Sequence, residues 1–353
     1  MKNIIFITML ALLFSACAST PQDSNSNTLQ VQGAPDWVNN MERVFPGRDW
    51  VAVNAQGLSL PQAEAAAMNA LARAFRTDVE SLTRASQSFS QIVSSATGNI
   101  AFDESKNFSQ EINTSTNIRG LIGVQTDMYR APNNTVYVNA RMNRQECALR
   151  YSGMIRENTA IINSLLTSAN AFPTQGRFEV YARLSLAHAI AQITDNFQNI
   201  LEVLDSSAAN RRPSYGGANA IKARMLDVAS LITIGIIVNT EQAADRTLLT
   251  RAVGSFFGDM GFKINEQGQG TYALRVNARF EPISQNVISC RYYIDAAMDH
   301  GGTAVFAFTE DDRRAHPNTE SEARRLAVRA AETSLKEGKF AQEFNAWLTS
   351  ILD

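Results

Sequence analysis

Trp50-Val51-Ala52-Val53-Asn54-Ala55-Gln56-Gly57-Leu58-Ser59, with the residues that follow as far as Leu82, decides the fold class of this 353-residue chain. Its first six residues, β-branched and aromatic, predict a short strand. Gln56-Gly57-Leu58 turns the chain. Ser59 then stands three residues before Gln62, the spacing at which two side chains cap the backbone reciprocally at a helix start. Ala63, Ala66, Ala67, Ala70, Leu71, Ala74, Phe75, Val79 and Leu82 recur at helical spacing. A stripe made mostly of alanine lets a helix lie close on a sheet. The same grammar returns late in the chain. Ala304-Val305-Phe306-Ala307-Phe308 reads as a strand, Thr319 stands three residues before Glu322, and Ala323, Leu326, Ala327, Ala330 and Leu335 form a second alanine-rich face.

Outward from the first unit, the chain is rich in Ser, Thr, Gln and Asn as far as Asn117, with a loop expected around Thr97-Gly98-Asn99 and a polar edge strand near Phe108 to Ile118. Ile118 to Tyr129 and Thr135 to Met142 read as two strands joined by Ala131-Pro132-Asn133-Asn134, a hairpin turn because Asn tolerates positive φ and Pro presets its own. From Gln145 the period becomes helical. Two long helices around a break at Pro173 to Gly176 predict an antiparallel hairpin, and a third helix runs to about Ala229. Leu231 to Val238 reads as an apolar strand, and Thr240 is expected to cap the helix that ends at Gly261. Strands follow near Phe262 to Ile264, at Tyr272 to Phe280, Val287 to Met298 and Thr303 to Phe308, with a tight turn at Asp299-His300-Gly301-Gly302. Phe340, Phe344, Trp347, Leu348 and Ile351 give a last helix a core-packing face. The fold class is α+β: small mixed or antiparallel sheets with packed alanine-faced helices, and a helical hairpin between two α+β modules. The expected segments are 1–16, 17–33, 34–147, 148–230 and 231–353.

Segment 1–16 reads as a leader. Lys2 supplies positive charge, Ile4 to Phe14 an apolar core too short to span a bilayer permanently, and Ser15-Ala16 the small residues before Cys17. A cysteine placed there resembles a bacterial lipoprotein processing site, which implies acylation of Cys17; cleavage near Ala18 as an ordinary secretory peptide is the other reading. Two or more acyl chains anchor stably, at roughly 0.8 kcal/mol per buried methylene. Ala18 to Gln32 carries little to bury and reads as a tether. Ala18 stands where an inner-membrane retention signal would place Asp, so the expected location is the outer membrane.

A formal net charge of −2 gives no electrostatic case for nucleic acid. Three separated histidines, His188, His300 and His316, make a histidine-rich metal site improbable, and a packed or hydrogen-bonded role is expected for His188. Cys147 and Cys290 fit either a bridge in an oxidising compartment or two buried thiols.

Pro35-Asp36-Trp37, the Trp50–Gly57 unit, the Ala63–Leu71 helix, Arg119-Gly120-Leu121-Ile122-Gly123-Val124 and Tyr137-Val138 occur in that order. Together they resemble the Lpp-twenty family of bacterial outer-membrane lipoproteins, across roughly 35–144. A related module occurs in flagellar outer-membrane T-ring and basal-disc proteins. The resemblance implies a non-catalytic α+β module used in envelope and motility-associated assemblies, and it supplies no catalytic residues. The family's turn is glycine-rich, whereas Asn54-Ala55-Gln56-Gly57 holds one glycine. The C-terminal element order is similar to envelope lipoproteins related to the curli secretion channel and to synthase-activating lipoproteins.

No phosphate-loop, dinucleotide, zinc-protease or nucleophile-elbow motif occurs in the sequence. Asp295, Asp299 and His300 could set two carboxylates beside an imidazole, but Asp299 and His300 read first as turn residues at a hairpin tip. Arg313-Arg314, Arg324-Arg325, Asp311-Asp312 and Glu320 read as a solvated helix start. Trp37 and Trp50 are expected to pack. The sequence therefore predicts a lipid-anchored, non-enzymatic envelope protein without cofactor or metal, whose partners are the membrane and other envelope proteins or itself. A binding or activating module for peptidoglycan machinery is the alternative.

Overall fold

A computed structural model of the chain describes residues 31–75, 121–171, 176–210, 213–284, 288–316 and 319–352. The leader, Cys17, most of the tether, Val79, Leu82, the expected loop at Thr97-Gly98-Asn99, the expected strand near 108–118, Arg119 and Gly120 lie outside them.

The first sheet has three antiparallel strands, β1 (Trp50–Gly57), β2 (Gln125–Arg130) and β3 (Val136–Asn143), in the order β1-β3-β2. Alternation along β3 drives its packing. Val136, Val138, Ala140 and Met142 are buried on one face, while Tyr137, Asn139 and Arg141 take the other. Helix α3 (Leu60–Ala74) lays Ala63, Ala67 and Leu71 on the apolar face. Gly57 makes that approach possible, because a Cβ there would stand 2.8 Å from the Ala63 nitrogen. The opposite face is covered by the short helices α1 (Asp36–Asn39) and α2 (Met41–Val44), and Trp37 is buried. Asn54 Nδ2 donates to the Trp37 carbonyl at 2.8 Å. The hairpin at 131–135 forms as expected, with Asn134 at φ 64.

One expectation at α3 needs correction. Gln62 Oε1 accepts from the Leu58 N–H at 3.1 Å, but Ser59 makes no side-chain cap bond. Pro61 occupies the second helical position and has no N–H to offer the hydroxyl.

Helices α4 (Arg144–Ala171) and α5 (Arg177–Leu204) form the hairpin and share one apolar core with the first sheet. Tyr151 lies within it, its hydroxyl accepting from the Ile122 N–H at 2.9 Å and its ring edge-on to Phe197. Short α6 (Ser206–Ala209) and α7 (Ala218–Ala229) return the chain. Helix α5 is shared. Its residues from Ala182 onward belong to the first core, and Phe178 and Tyr181 belong to the second.

The second sheet runs β5-β4-β6-β7-β8, from β4 (Thr233–Asn239), β5 (Lys263–Asn265), β6 (Tyr272–Ser284), β7 (Ile288–His300) and β8 (Thr303–Ala315). Strand β4 pairs in parallel with β5 and β6, and β6, β7 and β8 form an antiparallel meander. Helices α8 (Ala243–Asp259), α9 (Glu320–Glu337) and α10 (Lys339–Ser350) supply the rest of its core. Gly261 stops α8 at φ +88, and Phe262 N–H bonds back to the Phe257 carbonyl at 3.1 Å.

Thr240 does not cap α8. The helix starts three residues later, at Ala243 after Gln242, and Thr240 Oγ1 is buried without a hydrogen-bond partner. At α9, by contrast, Thr319 Oγ1 accepts from the Glu322 N–H at 3.2 Å. Neither unit closes the reciprocal cap: Gln62 reaches back past the N-cap Ser59 to Leu58, and at the second unit Thr319 reaches forward.

Candidate functional site

Two surfaces could do work: a cleft beside the helical hairpin, and the β8 edge of the five-stranded sheet, which is unpaired among the described residues. The cleft encloses about 910 Å³ between the 47–49 turn, the start of α4 and the end of α5, with Arg48, Leu149, Ser152, Glu202 and Ser206 on its walls. Arg144 lines it too. That residue's N–H donates to the Asp49 carbonyl at 2.9 Å and its Nε to the Gly47 carbonyl at 2.7 Å. Its Nη1 donates to the Val203 carbonyl, and to that of Leu204 at 3.5 Å. A guanidinium on the last carbonyls of α5 satisfies groups the helix cannot and sits at the negative end of its dipole. Asp205 is engaged likewise, its Oδ1 accepting from the Ser207 and Ala208 N–H groups at 2.9 and 3.1 Å. The Ser207 hydroxyl, which also donates to Oδ1, and after it the Ala208 and Ser207 amides hold the carboxyl below the usual range. The Arg144 and Asp205 side chains on the cleft therefore serve the fold. A second recess of about 640 Å³, bounded by Ile155, Thr159, Gln198 and Pro213, adjoins it at Ser152 and Ala208.

The residues singled out as an acid–base set are not assembled. Asp299 is paired with Arg275 at 2.9 Å. The His300 ring lies on Tyr272, centroids 4.4 Å apart. Asp295 and Asp299 do share one face of β7, since the register shift beside Met298 and Asp299 falls at Val305 of β8, but Arg275 holds Asp299 and Tyr272 stacks on His300. Among the described residues no group of three or more His, Cys, Asp or Glu gathers as a metal-ligand set. His188 is packed as expected, its Nδ1 3.1 Å from the Ala218 carbonyl.

The charged stretch expected at a helix start is divided. Asp311 pairs with Arg291 across the sheet, Asp312 with Arg314 at 2.7 Å, and Arg325 with Glu322 at 2.5 Å. Arg324 turns inward, pairing with Asp245 of α8 at 2.7 Å over the face of Phe280. Sequence reading missed Arg144 and the Asp245–Arg324 pair, because both join segments far apart in the chain and neither carries a local pattern. Cys147 and Cys290 are buried free thiols in different cores.

Strand β8 is thirteen residues long and bounds the sheet. Among the described residues nothing pairs with its outer side. The turn before it is a two-residue hairpin, Gly301-Gly302, both at positive φ. His316 N–H donates to the Ile288 carbonyl at 3.0 Å, which sets the phase of the ladder. Counting back, Arg314, Asp312 and Glu310 direct their backbone groups at β7, and Thr309, Asp311, Arg313 and Ala315 direct theirs outward.

No family model and no curated protein matches the chain. Among solved structures it is similar to a minor lipoprotein from Acinetobacter baumannii, at 13% identity over 33% of this chain and 90% of that one, with a TM-score of 0.24. It is also similar to a secreted protein from Helicobacter pylori, at 12% identity over 81% of this chain and 97% of that one, with a TM-score of 0.32. At these scores neither likeness carries a function across. No helix among the described residues is long and apolar enough to cross a membrane.

Proposed function

We propose that this chain is a lipid-anchored bacterial envelope protein of the outer membrane, with a structural, assembling role and no catalytic one. The anchor is Cys17, preceded by the leader pattern of Lys2, Ile4 to Phe14 and Ser15-Ala16. The observation that carries the assembling role is the long outer edge of β8, because unpaired strand edges are the sites at which sheets recruit another chain. The Lpp-twenty resemblance across 35–144 supports membership of an envelope or motility-associated complex. Crosslinking in the native cell tests the role: recovery of envelope proteins or of a second copy is expected, and a chain that crosslinks to nothing refutes it. Mass spectrometry of the mature N-terminus tests the anchor, which fails if the peptide beginning at Cys17 is found unmodified.

The cleft beside Arg144 favours a second reading, a binding or activating module for peptidoglycan machinery. Its uncommitted wall residues are few, so it ranks behind assembly. Retained binding of peptidoglycan fragments by the purified chain, lost on Leu149→Glu, would reverse that order.

A further inference from the structure

The geometry points to a second copy of this chain as the partner of β8, joined antiparallel across a two-fold axis at Asp312. This inference rests on the assembling role above and names its partner. The sequence of the strand's end is Glu310-Asp311-Asp312-Arg313-Arg314, which is charge-complementary to itself when reversed. A two-fold axis between identical antiparallel strands must place one residue opposite its own copy. With Asp312 at that position, Asp311 faces Arg313 of the other copy and Glu310 faces Arg314, each twice. Moving the axis to Asp311 sets Asp311 against itself and Glu310 against Asp312. Moving it to Arg313 sets Arg313 against itself and leaves Asp312 facing Arg314 as the main gain. Only the Asp312 register gives opposite charges at every flanking pair, and cross-strand charge pairs are what select register on an exposed edge.

The hydrogen bonding agrees in phase. Thr309, Asp311, Arg313 and Ala315 face outward, and in this register they oppose one another: Thr309 with Ala315 and Asp311 with Arg313. Asp312 then sits at a non-hydrogen-bonded position, where the two chains approach most closely. It has three duties in the single chain, the weakest being to accept from the Tyr292 hydroxyl at 3.5 Å. Its Oδ1 accepts from the Arg313 N–H at 2.7 Å, blunting the edge, and its Oδ2 pairs with Arg314 at 2.7 Å. Pairing requires the Arg313 bond to open while the Arg314 pair offsets the charge of the facing Asp312. The edge is thus guarded in solution and joined most readily where a membrane anchor concentrates the copies.

Sedimentation equilibrium of the chain from residue 18, which keeps every described residue, reads the association. Asp311→Arg alone and Arg313→Asp alone each set like charges opposite one another, and each should weaken self-association about tenfold or more. Mixing the two variants, or combining them in one chain, restores Asp–Arg pairs and should restore association, a result that misfolding cannot produce. Asp312→Cys should form a symmetric disulfide dimer under mild oxidation, and Thr309→Cys should not. If the chain associates but the single variants associate equally well, the β8 inference is overturned while the assembling role stands. If the chain stays monomeric and captures envelope partners in the cell, the inference again fails alone. If it does neither, both fail.

Discussion

The ring of Phe178 meets the ring of Tyr272 edge-on, centroids 4.3 Å apart, and this contact fastens the helical hairpin to the second sheet. Phe178 belongs to the first turn of α5, and it also touches Phe262, Phe344 and Trp347 at 5.3 to 6.0 Å. Tyr181 one turn on also belongs to the second core, and the buried residues from Ala182 onward are committed to the first. One rigid helix, about 42 Å long at 1.5 Å per residue, therefore runs through both cores. Phe178→Ala should cost about 3–5 kcal/mol and split unfolding into two stages, since the cores would lose their shared contact. Urea denaturation followed by tryptophan fluorescence and circular dichroism checks this. Coincident single transitions by both probes would show that the cores are not coupled through Phe178.

The segment between β5 and β6 crosses β4 at a contact with no room for a side chain. A Cβ on Gly235 would lie 2.4 Å from the Gly268 carbonyl carbon and oxygen, and one on Gly270 would lie 2.5 Å from the Gly235 nitrogen. These are backbone atoms and cannot swing aside. Gly153, inside α4, has nothing within 4 Å of the same point. Gly235→Ala should therefore lower the melting temperature sharply, whereas Gly153→Ala should stabilise by about 0.5–1 kcal/mol through helix propensity. Thermal melts of the pair decide it, and equal effects would contradict the packing.

The alternation along β3, the alanine face of α3 and the Gly301-Gly302 hairpin were legible because each is a pattern within one short segment. Ser59 and Thr240 misled for a local reason. Their spacing fits a cap, but Pro61 removes one N–H, and α8 begins three residues beyond Thr240. The shared membership of α5 was not legible, since Phe178 and Leu184 sit on one continuous periodic stripe and periodicity does not say which sheet each residue meets. The charged end of β8 reads as solvated helix start in one dimension and becomes an edge only when β7 lies beside it.

Asp245 and Arg324 keep only 10% and 18% of their side-chain surface exposed, so their pair is largely desolvated. Removing one partner strands a charge. Arg324→Met alone should cost about 3–5 kcal/mol, while joint replacement of both by apolar residues should be near neutral. A double-mutant cycle by chemical denaturation measures the coupling, and additive losses would place the cost in packing against Phe280 instead.

Both internal thiols should be unreactive in the folded chain. Burial, then the neighbouring Glu146 carboxylate, pushes the Cys147 thiol up to about 11, and burial raises Cys290 as well. The thiolate is the reactive form, so alkylation at neutral pH should label neither until denaturant is added. Mass spectrometry counts the labels. A native bridge would leave both unlabelled in denaturant until a reductant is supplied.

His188 should make stability fall on acidification. Its imidazole is held below its ordinary value chiefly by burial, with Lys222 adding to the lowering; the Ala218 carbonyl and Asp195 favour the cation but do not outweigh them. Asp195 has other duties there, accepting from the Tyr215 hydroxyl at 2.8 Å and the Ala218 N–H at 2.9 Å, so it grips the start of α7 beside the imidazole. A depressed folded value means that the unfolded chain takes the proton first as pH drops. The stabilisation is then whole above about 6.5, the unfolded value, and is lost as pH falls from there through the folded value. Melting temperature should decline between pH 7 and pH 5, and His188→Gln, which can still donate to the Ala218 carbonyl, should flatten that decline. The lowered carboxyls of Asp205 and Asp311 titrate further down and leave this window to the histidine. An unchanged slope in the His188→Gln chain would move the acid sensitivity to another group.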